Sequence, residues 1–411
     1  MNDSNHYHLR VSKSFVAIFQ VTYPVLSETF IDREIRELHR QGLPLAVYSL
    51  WNWKKPRAWD SPFAIRYFRP WDALRILWTL PREILRKPSI FWKGVRLLRQ
   101  YRHASMANVV ETLWGVCFAF CCADEIRKQG FTHLHAGWAT GPATAAAVLS
   151  ELCGVPFSFA AHAFDLYRHG GDAWLRAKLR SARFVHTTTE ENVRRLRAQC
   201  PKAEILLARH GLDRLPEKIR EPRVLVGEPV RLLSVGRLVA KKGHVHQLRA
   251  IQELLRRGHQ VEAKIVGGGA LMQKLRDEMT RLGLGKSVEL FGALEHAEVQ
   301  KLFEWADIFW HTGQVDACGD RDGLPNVIPE AMAHGLPVIC CALEGATEAA
   351  RHDETAWVTD VTNPALLADA VEKLAGDKEL RSRLGRNGRE WVEKNFLIKK
   401  NAASLAERMQ S

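Results

Sequence analysis

The segment Asp322 to Pro337, DGLPNVIPEAMAHGLP, sets two carboxylates beside the start of a helix. Gly335 supplies a left-handed cap and Pro337 blocks continuation, so a helix is expected from Val327 to His334. Ahead of it, Asp322, Gly323, Leu324 and Asn326 form a loop in which glycine permits close backbone approach. Free amides of a first helical turn attract phosphate, which makes Asn326, Val327 and Ile328 candidate contacts for a phosphorylated ligand. Asp322 and Glu330 then place one carboxylate in the loop and one inside the helix, facing one site. A solvated acid pair or the acid pair of a glycosidase would use the same residues. The anion-attracting helix start fits a phosphorylated donor better.

A second constellation lies in SVGRLVAKKGH, where a strand ends at Gly236 and Arg237 and Lys242 occupy the loop before the next helix. Arginine offers a rigid fork to phosphate oxygens and lysine a mobile point charge, so the two together could neutralise a diphosphate without a metal. Two ordinary surface cations in a loop remain the plain alternative. His162, in VPFSFAAHAFDLY, follows a strand and precedes Asp165, at the cleft-facing end of a first domain; a satisfied structural histidine would look the same. His133 and His135 alternate in HLHAGW and read as strand residues, and His210 and Gly211 read as a turn near the cleft.

These residues need a scaffold, and the pattern of the chain supplies one. Short apolar runs alternate with helical periodicity from FVAIFQV (Phe15 to Val21) onward. The helix after that run has Ser27 as its candidate cap and Gly42 as its end. Strands follow in LAVYSLW, THLHAGW, VPFSFAAHA, RFVHTTT and AEILLARHG. From Trp51 to about Arg127 the pattern becomes helical, rich in Trp, Arg and Lys, and is expected to be an insert. Pro216 to Val230 is proline-rich and charged without periodicity, as a linker would be. A second alternating series begins at RLLSVGR and runs through VEAKIVGGG, SVELFGAL, ADIFWHT, LPVICCA and AWVTD. The expectation is an α/β protein with two doubly wound, Rossmann-like domains (1–220 and 230–390), a helix at 391–411 returning to the first, and ligand at the strand ends facing the cleft.

Composition narrows the function. The 411 residues exceed one ordinary core, and 46% hydrophobic with 26% charged residues describes a globular chain. A formal charge of +13 suits nucleic acid, anionic lipid or phosphorylated substrates, but no nucleic-acid reading motif is present. The eight cysteines lack a CxxC pair and sit among apolar residues, so neither a structural zinc nor disulfides are expected. No run of 18 apolar residues occurs and the first residues are too polar for a signal peptide, which leads to the expectation of a cytoplasmic protein.

Gly236, Arg237, Lys242 and Gly243, followed by Asp322 to Pro337, resemble the signature of the family 4 retaining glycosyltransferases. YPVLSETFI, HLHAGWATGPATAAAV and PFSFAAHAFDLY extend the likeness over most of the chain, toward the exopolysaccharide, colanic-acid type. The resemblance implies the GT-B fold. It gives Arg237 and Lys242 the donor diphosphate, Glu330 the ribose, and His162 a place lining the donor sugar. Asp322 stands where many members have Glu and so reaches less far toward the sugar hydroxyls; VGGG (Val266 to Gly269) departs from the usual VGxGP.

The expected reaction is metal-independent transfer of a hexose from a UDP- or GDP-linked donor to an oligosaccharide acceptor, polyprenyl-diphosphate-linked, with retention at the anomeric carbon. The basic, Trp-rich section would rest on the cytoplasmic face of the inner membrane, although packed helices with solvated arginines share its pattern. A nucleotide-sugar epimerase of the same fold and a non-catalytic nucleotide-binding scaffold are the alternatives.

Overall fold

The computed structural model describes residues 14–25, 28–51, 60–99 and 105–411. In the amino-terminal domain the strands are β1 (Val16–Gln20), β2 (Leu45–Ser49), β3 (Ala64–Tyr67), β4 (His133–Ala136), β5 (Phe157–Ala160), β6 (Phe184–Thr187) and β7 (Ile205–Leu207), in the parallel order β3-β2-β1-β4-β5-β6-β7. Every residue of β1, β2, β4, β5 and β6 is buried, as expected of parallel strands covered by helices on both faces. The carboxyl-terminal domain repeats the plan with β8 (Val230–Val235), β9 (Val261–Val266), β10 (Val288–Gly292), β11 (Ile308–His311), β12 (Val338–Cys340) and β13 (Trp357–Val358), ordered β10-β9-β8-β11-β12-β13. Strand order reverses between β8 and β11, and the crevice at such a reversal is where doubly wound sheets hold ligands.

The section from Trp51 to Arg127 is not a purely helical insert. It contributes β3 at the sheet edge, paired with β2 alone. An edge strand with exposed and half-buried residues lacks the continuous apolar run that marks its neighbours. The helix Met106–Gln129 is long and apolar enough to cross a membrane, yet Phe118, Ala119, Cys122 and Ala123 in its second half are buried in the domain core. Ser27, the candidate cap, lies outside the described residues. Glu28 precedes the helix Thr29–Arg40 without a side-chain cap, and Gly42 leaves it at φ 85°.

The chain crosses between domains twice, side by side. Leu212 N–H donates to the Phe396 carbonyl at 2.7 Å and Ile398 N–H to the Leu212 carbonyl at 3.1 Å. A side chain at Gly211 would meet the Ile398 nitrogen at 2.4 Å, so glycine is what lets the crossings touch. The final helix, Ile398–Gln410, then buries Ala402, Leu405 and Met409 against the amino-terminal core. Residues 216–229 are irregular, and Arg220 and Arg223 pin them to buried Asp307 at 3.1 and 2.6 Å.

The helix Val327–Ala333 ends at His334, with Gly335 at φ 75°. It is seated by the helix Lys378–Asn395, whose Gly385 comes so close that an added Cβ would meet the Gly335 carbonyl oxygen at 2.1 Å. Arg389 donates to the Ala333 carbonyl at the same end. The oxygen is backbone and cannot swing away, so Gly385→Ala should cost about 1–3 kcal/mol as an overpacked contact. Denaturant unfolding checks this; an unchanged midpoint would mean the two helices separate freely.

Candidate functional site

The crevice at the β8–β11 reversal is built by two loops. After β8, Gly236 passes under the Lys242 stem: a Cβ there would sit 3.5 Å from Lys242 Cδ. Gly243, at φ 64°, packs on Thr312 just after β11, where a Cβ would meet the Thr312 oxygen at 2.0 Å. The Thr312 hydroxyl donates to the Lys242 carbonyl at 3.0 Å. In VGGG, Gly267 and Gly269 adopt φ values of 152° and 156° and bring their backbone against Gly236 and Leu238. The Leu238 N–H donates to the Gly268 carbonyl at 2.9 Å. These glycines therefore shape the loop that carries Arg237. His244 is buried beneath it, its Nε2 3.3 Å from the Arg237 carbonyl oxygen.

The two cations are not equivalent. Arg237 is exposed, and its charge acts across the cleft on Glu28, whose carboxyl is raised by burial and opposed by that arginine. Lys242, expected to point freely into the cleft, instead donates to Asp322 Oδ2 at 2.7 Å. Lys241 Nζ lies 3.8 Å from Asp322 Oδ1 and His311 Nε2 lies 3.1 Å from Oδ2. Burial alone would raise the Asp322 carboxyl, but Lys242, His311 and Lys241 outweigh it and hold it well below the usual carboxylate range. Asp322 is thus a fixed anion that anchors the cations, and not a group held out toward sugar hydroxyls. The physical reason is the short side chain: it ends among the loop cations.

Glu330 also has a partner that the sequence did not suggest. Arg33, on the amino-terminal helix Thr29–Arg40, bonds Glu330 Oε1 at 2.9 Å with both side chains nearly buried. The two carboxylates, expected to face one ligand together, are engaged by different groups, Asp322 within its own domain and Glu330 across the cleft. Asn326 precedes the helix without a side-chain cap. Ile328 N–H is taken by the Pro325 carbonyl at 2.9 Å, which removes it from the candidate amides. Leu324 is buried and Val327 packs against the core, so these two hold the loop in place.

His162 stands just after β5, where its backbone N–H donates to Asp165 Oδ2 at 2.9 Å. Its ring packs edge-on to Trp138 with centroids 4.9 Å apart and lies 5.2 Å from the His210 ring. Burial pushes it down to about 4, so the imidazole is neutral near pH 7. The next residue, Ala163, abuts Gly323: a Cβ there would sit 3.2 Å from the Ala163 Cβ. His162 is therefore brought to the same cleft as the Asp322 loop. His133 and His135 share the Ser158 hydroxyl at 2.7 and 2.8 Å, as buried strand residues, and His210 belongs to the same buried group. Among the described residues no His, Cys, Asp and Glu cluster suits a metal ion.

Three groups escaped the sequence reading. His311 ends β11, and a histidine at the carboxyl end of a strand beside the reversal was a usable signal. Arg33 had none, because a charged residue on an amphipathic helix is ordinary. Glu348 is the third: its carboxylate accepts from Glu190 N–H at 2.8 Å and Glu191 N–H at 3.0 Å, capping a helix of the opposite domain.

Asp322→Ala would leave Lys242 and Lys241 facing a buried void of charge and should cost about 3–5 kcal/mol. The wild-type carboxyl is depressed in the fold, so its stabilisation is complete above the unfolded value near 4 and is lost as pH falls below it. Denaturation at neutral and acid pH should therefore show the gap between wild type and variant narrowing on acidification; a constant gap would contradict the pairing. For the bridge across the cleft, Arg33→Ala and Glu330→Ala in a double-mutant cycle should give a coupling of about 1 kcal/mol or more. Additive effects would mean that the pair does not hold the domains.

Comparison with known proteins bears on the fold and on the carboxyl-terminal domain. Residues 216–391 match the family model described as glycosyl transferases group 1. A putative colanic acid biosynthesis glycosyltransferase, WcaL of Escherichia coli K12, is 28% identical over 51% of this chain and 52% of its own length. The amylovoran biosynthesis glycosyltransferase AmsK of Erwinia amylovora is 32% identical over 43% of each chain. The match thus spans about half the length of these curated relatives. Among solved structures, sucrose-phosphate synthase of Thermosynechococcus elongatus superposes with a TM-score of 0.73 at 17% identity, over 96% of this chain and 98% of that one. Anabaena HepE in complex with UDP and glucose gives 0.68 at 16% identity with the same coverage. The fold is GT-B, and the domain carrying Arg237, Lys242, Asp322 and Glu330 belongs to the group 1 glycosyl transferases.

Proposed function

We propose that this protein transfers a hexose from a nucleotide-diphosphate sugar to a hydroxyl of a lipid-linked oligosaccharide in the synthesis of a surface polysaccharide, with retention at the anomeric carbon. The observation that carries the reading is the exposed guanidinium of Arg237 at the β8–β11 reversal, beside a lysine already oriented by a buried carboxylate. The colanic acid and amylovoran relatives support the polysaccharide assignment.

The difficult step is departure of the nucleoside diphosphate. Negative charge grows on the leaving oxygen as the glycosidic bond stretches, and donors fixed in advance around that oxygen lower the barrier. Arg237 has the free fork for this task. Lys242, held at 2.7 Å by Asp322, presents its remaining N–H groups to the same corner without having to be ordered during the reaction. A phosphate oxygen of the departing group then takes the proton of the acceptor hydroxyl on the face it leaves, so no carboxylate base is assigned. Neutral His162 and the wall of Trp138 close the sugar side of the cleft. Donor ribose and Arg33 compete for Glu330, so donor binding exchanges one partner of that carboxylate for another.

Arg237→Ala is the cleaner test, because Lys242→Ala would also strand Asp322. With a panel of UDP- and GDP-hexoses and lipid-linked acceptors, it should lower kcat/KM by roughly 100-fold or more while the melting curve stays in place. Full turnover by a folded Arg237→Ala variant would sink the proposal. Conversion of donor without acceptor would identify an epimerase instead, and loss of wild-type activity on chelation would remove the metal-independent mechanism.

A further inference from the structure

The segment Pro70–Arg99 folds as a short 3-10 turn, Pro70–Arg75, and the helices Ile76–Arg86 and Pro88–Arg99. Ile76 and Leu80 pack on the domain core, so an inner face is already present; the opposite face is apolar as well. In Ile76–Arg86 the buried positions are Thr79 and Glu83, one turn apart, whereas Leu77, Trp78, Pro81 and Leu85 point outward. Leu85 is 84% exposed, Leu77 72% and Trp78 59%; Trp71 and Leu74 in the preceding turn are each 60% exposed. Scattered exposed apolar residues are ordinary, but a helix whose inner face is already packed and whose outer face still carries Leu77, Trp78 and Leu85 in a contiguous patch with Trp71 and Leu74 has something else to cover it.

The charges select the occupant. Pro70 to Arg99 contains seven Lys and Arg against two Asp and Glu. Both acids are withdrawn from the surface: Asp72 is buried beside Arg66 and Arg75, and Glu83 takes Arg82, Arg86 and Arg127 at 3.1, 3.0 and 2.5 Å. The described outward face therefore combines leucine and tryptophan with exposed Arg86 and Arg96, and Arg69 lies over the Trp71 ring at 5.5 Å. Tryptophans at the boundary, leucines between them and cations with no exposed acid among the described residues of the segment, Asp124 beside it being paired with Arg82, complement an anionic headgroup layer over acyl chains.

We propose that this face docks the protein on an anionic lipid bilayer, with Leu77, Trp78 and Leu85 entering the headgroup–acyl boundary. The inference does not depend on the catalytic proposal, since it concerns binding to lipid with no donor or acceptor present.

The test is co-sedimentation of the full chain with sucrose-loaded vesicles of phosphatidylcholine alone, or with phosphatidylglycerol added to roughly a third of the lipid. Wild type should sediment with the mixed vesicles and far less with the neutral ones. Leu77→Ser combined with Trp78→Ser and Leu85→Ser should reduce that partition about tenfold or more, because three exposed apolar anchors are lost. Should that variant fail to fold, Arg69→Glu with Arg96→Glu leaves the Glu83 cluster and the apolar face intact and should abolish the preference for anionic vesicles. Wild type remaining in the supernatant, or either folded variant binding as wild type does, would overturn the proposal. So would a wild-type dimer that the serine variant converts to monomer, since the face would then be covered by protein.

Discussion

The buried carboxylate of Asp322 is the tie on which the corner at the β8–β11 reversal depends. It joins the loop after β8, through Lys242 and Lys241, to the end of β11, through His311, across the reversal in strand order. An isolated charge in that position would be costly, and the cations around it would be costly in its absence. Their mutual presence fixes where each can stand. Arg237, one turn of loop away, is left over as the exposed positive charge, and the division between a structural lysine and a free arginine follows from where the single aspartate reaches.

That corner forms half of a cleft, and the other half is held against it by polar contacts instead of a shared apolar core. Arg33 reaches Glu330, Glu348 caps the helix Glu190–Gln199, and His169 N–H donates to the Cys318 carbonyl at 2.9 Å. Gly323 brings its backbone against Ala163, and Arg321 lies over the Tyr167 ring. Contacts of this kind exchange readily with water or ligand, unlike interdigitated leucines. The hinge has the opposite character. At Gly211–Leu212 and Leu397–Ile398 the two crossings are hydrogen-bonded backbone to backbone, and the last helix is buried in the first domain. A firm hinge beside an exchangeable closure is the arrangement that a domain closure gated by ligand would use, as the proposed transfer requires.

Much of this was legible in the sequence because it rests on local rules. Continuous apolar strands such as Val16–Gln20 and Ile308–His311, the Gly335 stop and the irregular stretch after Pro216 are written in residue type and period. The edge strand Ala64–Tyr67 escaped because it has one neighbour and no continuous apolar run. The site residues were found by type, whereas their partners were not. Asp322 with Lys242 spans 80 residues and Arg33 with Glu330 spans 297, and no periodicity encodes such a pairing. The expectation that Asp322 and Glu330 act as a pair came from their proximity in sequence; in the fold, Asp322 is claimed by the cations of the loop after β8 and Glu330 by Arg33 of the opposite domain.

The same limit explains the basic, Trp-rich section. Its sequence is compatible with packed helices bearing solvated arginines, because composition does not say which face turns inward. The inner face settles that question locally: Glu83 gathers Arg82, Arg86 and Arg127 while Ile76 and Leu80 pack on the core, and helical geometry then directs Thr79 inward and Leu77, Trp78 and Leu85 outward. The ion cluster and the packed aliphatics together orient the helix, and an apolar exterior is the consequence. Burying those leucines against the domain instead would expel the carboxylate and leave Arg127, on the core helix, without its partner.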